Sequence, residues 1–236
     1  MLKFRSLIFN IVFYTFTILG LTLLSPLLLL PRPFYYWIPK GWTLSVSFIL
    51  KIIIGISYKV IGHKNIPKTP VIFAIKHQSA WETMAFNHIL DHPVFILKKD
   101  LMWIPFFGFY LHRVGMIALE RGGASALKTM IKKGKERVQE GRSIIIFPEG
   151  TRSAPGTHNE YKRGIYLLYK SLQVPVVPVA LNSGVFWPRR TFLKYPGTIV
   201  ASFLKPLPLG LSQDEFMKKL ETAIEKESLR LYKHKE

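Results

Sequence analysis

His77 is followed five residues later by Glu82 in the stretch His77-Gln78-Ser79-Ala80-Trp81-Glu82. A neutral imidazole can take a proton from a hydroxyl near neutral pH, and a carboxylate behind the ring can orient it and stabilise its charged form. Five helical residues rotate by roughly 500°, so the two side chains would not share a helix face. The pair works only if His77 sits in the turn before a helix and Glu82 in its first turn. Ser79-x-x-Glu82 also has the spacing of a helix-opening capping box. Both readings can hold together, because a carboxylate has two oxygens. With no cysteine in the chain and no G-x-S-x-G elbow, a thiol or elbow-serine nucleophile is excluded, as are disulfides and cysteine zinc sites. No recognisable metal motif is present either.

A second block, Phe147-Pro148-Glu149-Gly150-Thr151-Arg152-Ser153, follows an apolar run. Pro148 would end a strand and Gly150 would permit a backbone turn that other residues resist. Thr151 and Arg152 then offer a hydroxyl and a bidentate donor suited to a phosphate. A third block, Gly115 to Arg121, puts an arginine just past another apolar run, and Lys98 and Lys99 follow the run 94–97 in the same way. Singly these are ordinary surface charges. At successive strand ends of a parallel sheet they would converge on one rim. The fourth block, Val174 to Ala180, carries two prolines three apart, which predicts an irregular or edge strand. Its apolar surface could line an acyl channel, although plain core is the simpler reading for most of it.

The elements that must position these residues are short. Strands are expected at 71–75, 94–97, 116–119, 143–147, 174–181 and 198–204, apolar enough to be buried on both faces. Helices are expected at 80–90, 125–139, 165–172 and 213–232. In the last, Ser212 and Glu215 form a capping box and Leu211 with Phe216 a hydrophobic staple. This alternation predicts an α/β domain with a largely parallel sheet flanked by helices.

Ahead of it, residues 7–30 carry no charge and are long enough to cross a bilayer; they exceed a signal-peptide core and no cleavage site follows. A second apolar stretch over 42–61 predicts a partner helix. Pro31, Pro33, Tyr35, Tyr36 and Trp37 lie between the two as an interfacial turn. Residues 1–63 are therefore expected as a membrane-embedded helical pair and 64–236 as the catalytic domain, on the cytoplasmic side by the placement of Lys3, Arg5, Lys51 and Lys64. The formal net charge is +19, from 33 basic against 14 acidic residues, and the first acidic residue is Glu82. That distribution suits an anionic leaflet. A nucleic-acid partner would also explain the charge, but the apolar start and the lack of any recognition motif argue against it. The terminal run Lys233-His234-Lys235-Glu236 reads as a frayed, solvated end.

In this order, the four blocks resemble the glycerol-phosphate acyltransferase superfamily, and most closely the bacterial 1-acyl-glycerol-3-phosphate acyltransferases. The resemblance covers roughly residues 70–205 and extends to Tyr161-Lys162-Arg163-Gly164 and to Ile104-Pro105-Phe106-Phe107-Gly108. It implies His77 as the catalytic base with Glu82 as its partner, where the family usually has aspartate. It also implies that Arg121, Glu149 and Arg152, assisted by Gly150 and Thr151, bind the glycerol phosphate, with Lys98 or Lys99 as an additional phosphate ligand. The implied reaction moves an acyl chain from coenzyme A or an acyl-carrier protein to a lysophosphatidate hydroxyl, with no cofactor. Rival expectations are another lysolipid acceptor, such as a lyso-ornithine lipid, a non-catalytic lipid-binding protein, or an esterase.

Overall fold

The structure, a computed structural model, describes residues 1–31, 34–120 and 123–233. A seven-stranded sheet forms its centre: β1 (Ile56–Ile61), β2 (Ile72–Ile75), β3 (Val94–Lys98), β4 (Ile117–Leu119), β5 (Ile144–Ile146), β6 (Val176–Leu181) and β7 (Gly197–Phe203). The spatial order is β1-β7-β6-β2-β5-β3-β4. Neighbours run parallel except β6 and β7, which pair antiparallel over Val179–Leu181 against Ala201–Phe203. The C-terminal ends of β2, β3, β4, β5 and β6 therefore share one edge, where open α/β sheets place their sites.

Both faces of the sheet are covered at its centre, which is why the inner strands β2, β5 and β6 are apolar throughout rather than alternating. One face packs α3 (Trp81–Ile89) around Trp81, Phe86, Phe73 and Phe203. Phe73 and Phe86 both meet the Phe203 ring edge-on, at 5.7 and 6.0 Å. The opposite face packs α6 (Gly164–Leu172) and α7 (Gln213–Lys233) around Leu168, Phe216, Leu220 and Ile224. The Ser212–Glu215 capping box is formed: Ser212 donates to Glu215 Oε2 from both its N–H and its hydroxyl, and the Glu215 N–H returns to Ser212 Oγ. Leu211 and Phe216 join the same cluster. Helix α5 (Ala124–Gln139) covers β4 and β5 and buries Met130.

One expectation is corrected and another narrowed. The stretch 42–61 is not one helix. Helix α2 (Ile38–Ile49) runs into a π-turn at Leu50–Ile54, and Gly55, at φ +85°, turns the chain into strand β1. The β-branched residues Ile56, Val60 and Ile61 suit a strand, and β1 pairs with β7 from Ile56↔Gly197 to Ile61↔Ser202. The sheet thus takes an edge strand from residues assigned to the anchor. The proline-bearing strand β6 lies inside the sheet, so of the two alternatives, irregular or edge, the irregular one holds. The Pro178 carbonyl accepts from Leu204 N–H at 2.9 Å, so its missing donor faces the β7 side where regular pairing stops at Val179↔Phe203. The reciprocal bond to the Leu204 carbonyl is therefore missing, and the β6–β7 ladder is irregular at Pro178. All six β6 residues are buried, which makes them core and not the wall of an acyl channel.

Helix α1 (Leu2–Leu24), extended by a 3₁₀ turn at Ser25–Leu29, is long and apolar enough to cross a membrane and is almost entirely unburied. It does not stand free of the sheet domain. Near its start, Arg5 Nε donates to Ile53 O, Ser6 Oγ accepts from Lys194 N–H, and Lys194 Nζ donates to Asn10 at 2.8 Å. Lys194 lies over the Phe9 and Trp187 rings, and burial pushes its ammonium down to about 8. At the far end, Arg113 Nη2 donates to Leu30 O and Tyr35 donates its hydroxyl to Arg113 O. Arg113 belongs to α4 (Phe107–Val114), a helix not expected from the sequence. Of the aromatics expected at the interface, Tyr35 is buried, Tyr36 stacks on His92, and Trp37 is exposed. Pro33 lies outside the described residues, as do His234, Lys235 and Glu236 of the terminal run.

Candidate active site

His77 follows β2, and Glu82 lies in the first turn of α3. His77 Nδ1 and Glu82 Oε1 are 2.9 Å apart. The same oxygen accepts the N–H groups of Gln78 and Ser79, each at 2.6 Å. Half of the expected capping box forms: the Ser79 N–H reaches Glu82, whereas Ser79 Oγ accepts from Trp81 N–H and the helix takes Ala80 as its N-cap without a side-chain cap bond. Glu82 Oε2 accepts the hydroxyl of Ser183 at 2.7 Å. The Glu82 side chain is wholly buried, and that of His77 is 13 % exposed. With Nδ1 committed to the carboxylate, Nε2 is the ring nitrogen left for an incoming proton.

The ring is clamped as well as paired. Phe147, just past β5, stacks on it with centroids 4.0 Å apart and planes 19° apart. The His77 carbonyl accepts from Ser153 N–H at 2.8 Å, which joins the end of the 147–153 loop to the base. Behind the loop, a buried charge cluster fixes its middle. Lys76, fully buried, places Nζ 3.1 Å from Glu149 Oε1, 2.8 Å from Glu225 Oε1 and 3.0 Å from the Thr157 carbonyl. Glu149 Oε2 accepts from the Asn159 backbone N–H and side-chain amide. Tyr161 donates its hydroxyl to Glu225, and burial together with that carboxylate pushes the phenol far up. Both Glu149 oxygens thus point inward to protein partners.

The remaining sequence-derived candidates sort by exposure. Gly150 turns the loop at φ +66°. Thr151 and Arg152 are partly exposed beyond it, and the Arg152 carbonyl accepts from Arg189. Lys99 pairs with Glu120 across the ends of β3 and β4, whereas exposed Lys98 has no such ion pair among the described residues. Arg121 lies outside the described residues.

Four contributors went unnoticed in the sequence: Lys76, Asn159, Ser183 and Glu225. Asn182-Ser183-Gly184 directly follows β6, so the strand-end argument applied to Lys98 would have reached Ser183. Gly184 admits no side chain there: a Cβ would lie 2.9 Å from Gln78 Cβ and 3.0 Å from Pro155 Cγ, while its N–H donates to Gln78 Oε1. Nothing in the sequence marks Glu225, 149 positions from Lys76.

Residues 57–182 match the profile of the acyltransferase family. The chain belongs to that family. The matched segment contains His77, Glu82 and the 147–153 loop, while the acyltransferase's Ser183 and Glu225 fall beyond it. Over 169 residues the chain is 37 % identical to the 1-acyl-sn-glycerol-3-phosphate acyltransferase of Pseudomonas aeruginosa, covering 71 % of this chain and 66 % of that one. Over 164 residues it is 29 % identical to the Saccharomyces cerevisiae protein of the same name, covering 67 % of this chain and 54 % of that one. These alignments therefore span between about half and two thirds of the curated relatives. The crystal structure of the Thermotoga maritima LPA acyltransferase PlsC superposes with a TM-score of 0.80 over 98 % of both chains at 24 % identity, a likeness of fold.

Proposed function

We propose that this acyltransferase moves an acyl chain from a thioester to the free 2-hydroxyl of 1-acyl-glycerol-3-phosphate, giving phosphatidic acid at a membrane surface. The observation that carries the reading is His77, held through Nδ1 by a buried carboxylate and clamped against the arginine-bearing loop. The names of the Pseudomonas and yeast relatives support the choice of acceptor.

In this mechanism the acceptor hydroxyl gives its proton to His77 Nε2 while its oxygen attacks the thioester carbonyl. The Glu82 carboxylate orients the ring and stabilises the imidazolium. The tetrahedral intermediate then expels the thiolate, which takes the proton back from Nε2, leaving an ester and a free thiol. Arg152 binds the acceptor phosphate with Lys98 or Lys99, and Arg121 joins them by family resemblance. Glu149 positions: its inward-facing carboxylate holds the loop that presents Gly150, Thr151 and Arg152. The donor is acyl-coenzyme A or an acyl-carrier protein. The catalytic domain rests on the cytoplasmic face, with α1 and α2 embedded in one leaflet. That placement is supported by the contacts tying both ends of α1 to the sheet domain, since a helix clamped along one side of a domain is not free to cross away from it.

The test offers lysophosphatidate, or a monoacylglycerol of the same chain length, to the full-length protein in detergent with each thioester donor. Phosphatidate should form, and the phosphate-free acceptor should be acylated at least 100-fold more slowly. No phosphatidate with either donor, or equal rates with both acceptors, would contradict the assignment.

A further inference from the structure

Between β3 and the end of α4 the chain makes a tight excursion with two unlike faces. Met102, Phe107 and Tyr110 turn inward against the core. Leu101, Trp103, Ile104, Phe106 and Phe109 turn outward, with Trp103 79 % and Phe106 50 % exposed. Five large apolar side chains presented within nine residues form an aggregation liability in water.

The backbone is built to hold them there. Lys99–Trp103 is a 3₁₀ turn. Phe106 takes φ +59°, a strained conformation that bulky residues avoid. Gly108 lies so close to the turn that a Cβ would stand 1.9 Å from the Met102 carbonyl, and its N–H donates to Ile104 O at 2.8 Å. Backbone strain spent on exposing a phenylalanine is not explained by the sheet's own packing.

We propose that residues 101–109 form a second membrane-contacting element, inserted shallowly into the leaflet that holds α1. This rests on the membrane reading of α1. An anionic lipid leaflet is the occupant chosen, for two reasons. The tip is continuous with the anchor: Arg113, at the end of α4, donates to the Leu30 carbonyl and receives the Tyr35 hydroxyl, next to exposed Leu29, Leu30, Phe34 and Trp37. Its composition is also interfacial, with aromatic and aliphatic residues at the tip and Lys98, Lys99 and Arg113 at the base; the acidic residues nearby are Asp100 and Glu120, the latter paired with Lys99. Shallow insertion of the tip would set Lys98 and Lys99 at the depth of the lipid phosphates.

Because the chain has no cysteine, single labels can be placed without further changes. An environment-sensitive fluorophore is attached in separate variants at Phe106→Cys, Phe109→Cys, Ile18→Cys on α1 and Lys170→Cys on α6. Each full-length protein is reconstituted into phosphatidylglycerol–phosphatidylethanolamine vesicles. Positions 106 and 109 should behave like 18, with blue-shifted emission, quenching by lipids spin-labelled near the top of the acyl chain, and several-fold less quenching by iodide than position 170. If 18 reports lipid while 106 and 109 report water, the second element is refuted and the anchor stands. Shielding from iodide without quenching by spin-labelled lipid would place another protein copy on the tip and also refute it. If 18 itself reports water, the membrane reading fails and this proposal falls with it.

Discussion

Ser183 reaches across 101 positions of sequence to donate its hydroxyl to Glu82 Oε2 at 2.7 Å, while Oε1 of the same carboxylate meets His77. Glu82 is therefore held by four donors from three directions, two of them backbone N–H groups. The glutamate, one methylene longer than the aspartate the resemblance implies, is accommodated because the start of α3 and the turn after β6 both close on it.

The Ser183 contact should be felt in turnover. Hydrogen bonds to charged groups contribute about 1.5–3 kcal/mol, so Ser183→Ala is expected to lower kcat by about tenfold or more with little change in KM for lysophosphatidate. Glu82→Gln, which keeps the shape but removes the charge, should lower kcat by about 10³-fold or more. Steady-state kinetics with saturating donor checks both, and a Ser183→Ala effect confined to KM would contradict the positioning role.

Lys76 should matter most for stability. Removing one partner from a buried ion cluster costs about 3–5 kcal/mol, because the remaining charges are left uncompensated. Lys76→Met strands Glu149 and Glu225 together and should lower the denaturation midpoint markedly. Glu225→Gln, which keeps a hydrogen-bond acceptor for Lys76 and Tyr161, should cost less. Chemical denaturation in detergent ranks the two.

Arg152 and the two lysines should separate in KM. Arg152→Ala is expected to raise KM for lysophosphatidate by about 10- to 100-fold, with Arg152→Lys recovering only part of it because the bidentate fork is lost. Lys98→Ala and Lys99→Ala, compared directly, identify the phosphate ligand. The larger KM increase is expected at Lys98, since Lys99 is already paired with Glu120.

Acid should loosen the junction of α2 and α3. His88 contacts Thr43 through Nδ1 and Tyr58 through Nε2; burial, helped by the Lys40 charge, pushes its pKa down to about 4. The unfolded chain, with an ordinary histidine pKa near 6.5, then binds more protons than the folded one between about pH 6.5 and 4. Stability should fall as the pH drops through that window, and His88→Asn should flatten the dependence. Thermal melts of both proteins at pH 7 and pH 4.5 measure it.

Much of this architecture was legible because apolar runs report burial directly. The strands around Phe73, Ile145 and Val177 and the helix opened by Ser212 were placed within a few residues. The helix expected over 42–61 failed because composition does not show that Gly55 turns left-handed, nor that the following residues find an edge beside β7. Pro178 left two alternatives open, because a proline's missing N–H can fall at a sheet edge or at a break in an interior ladder, and only the neighbouring strand decides which. At the site, His77, Glu82 and the 147–153 loop announced themselves through local spacing. Lys76–Glu225 and Ser183–Glu82 did not, because contacts across more than a hundred positions leave no periodic mark.

Removal of the His77 imidazole should abolish acyl transfer. Acyl transfer from a thioester to lysophosphatidate is measured for the wild type and for His77→Ala at matched, folded protein concentration. The wild type should form phosphatidate, and the variant should lose at least about 10³-fold in kcat while still binding lysophosphatidate. Turnover in His77→Ala within tenfold of the wild type would contradict it.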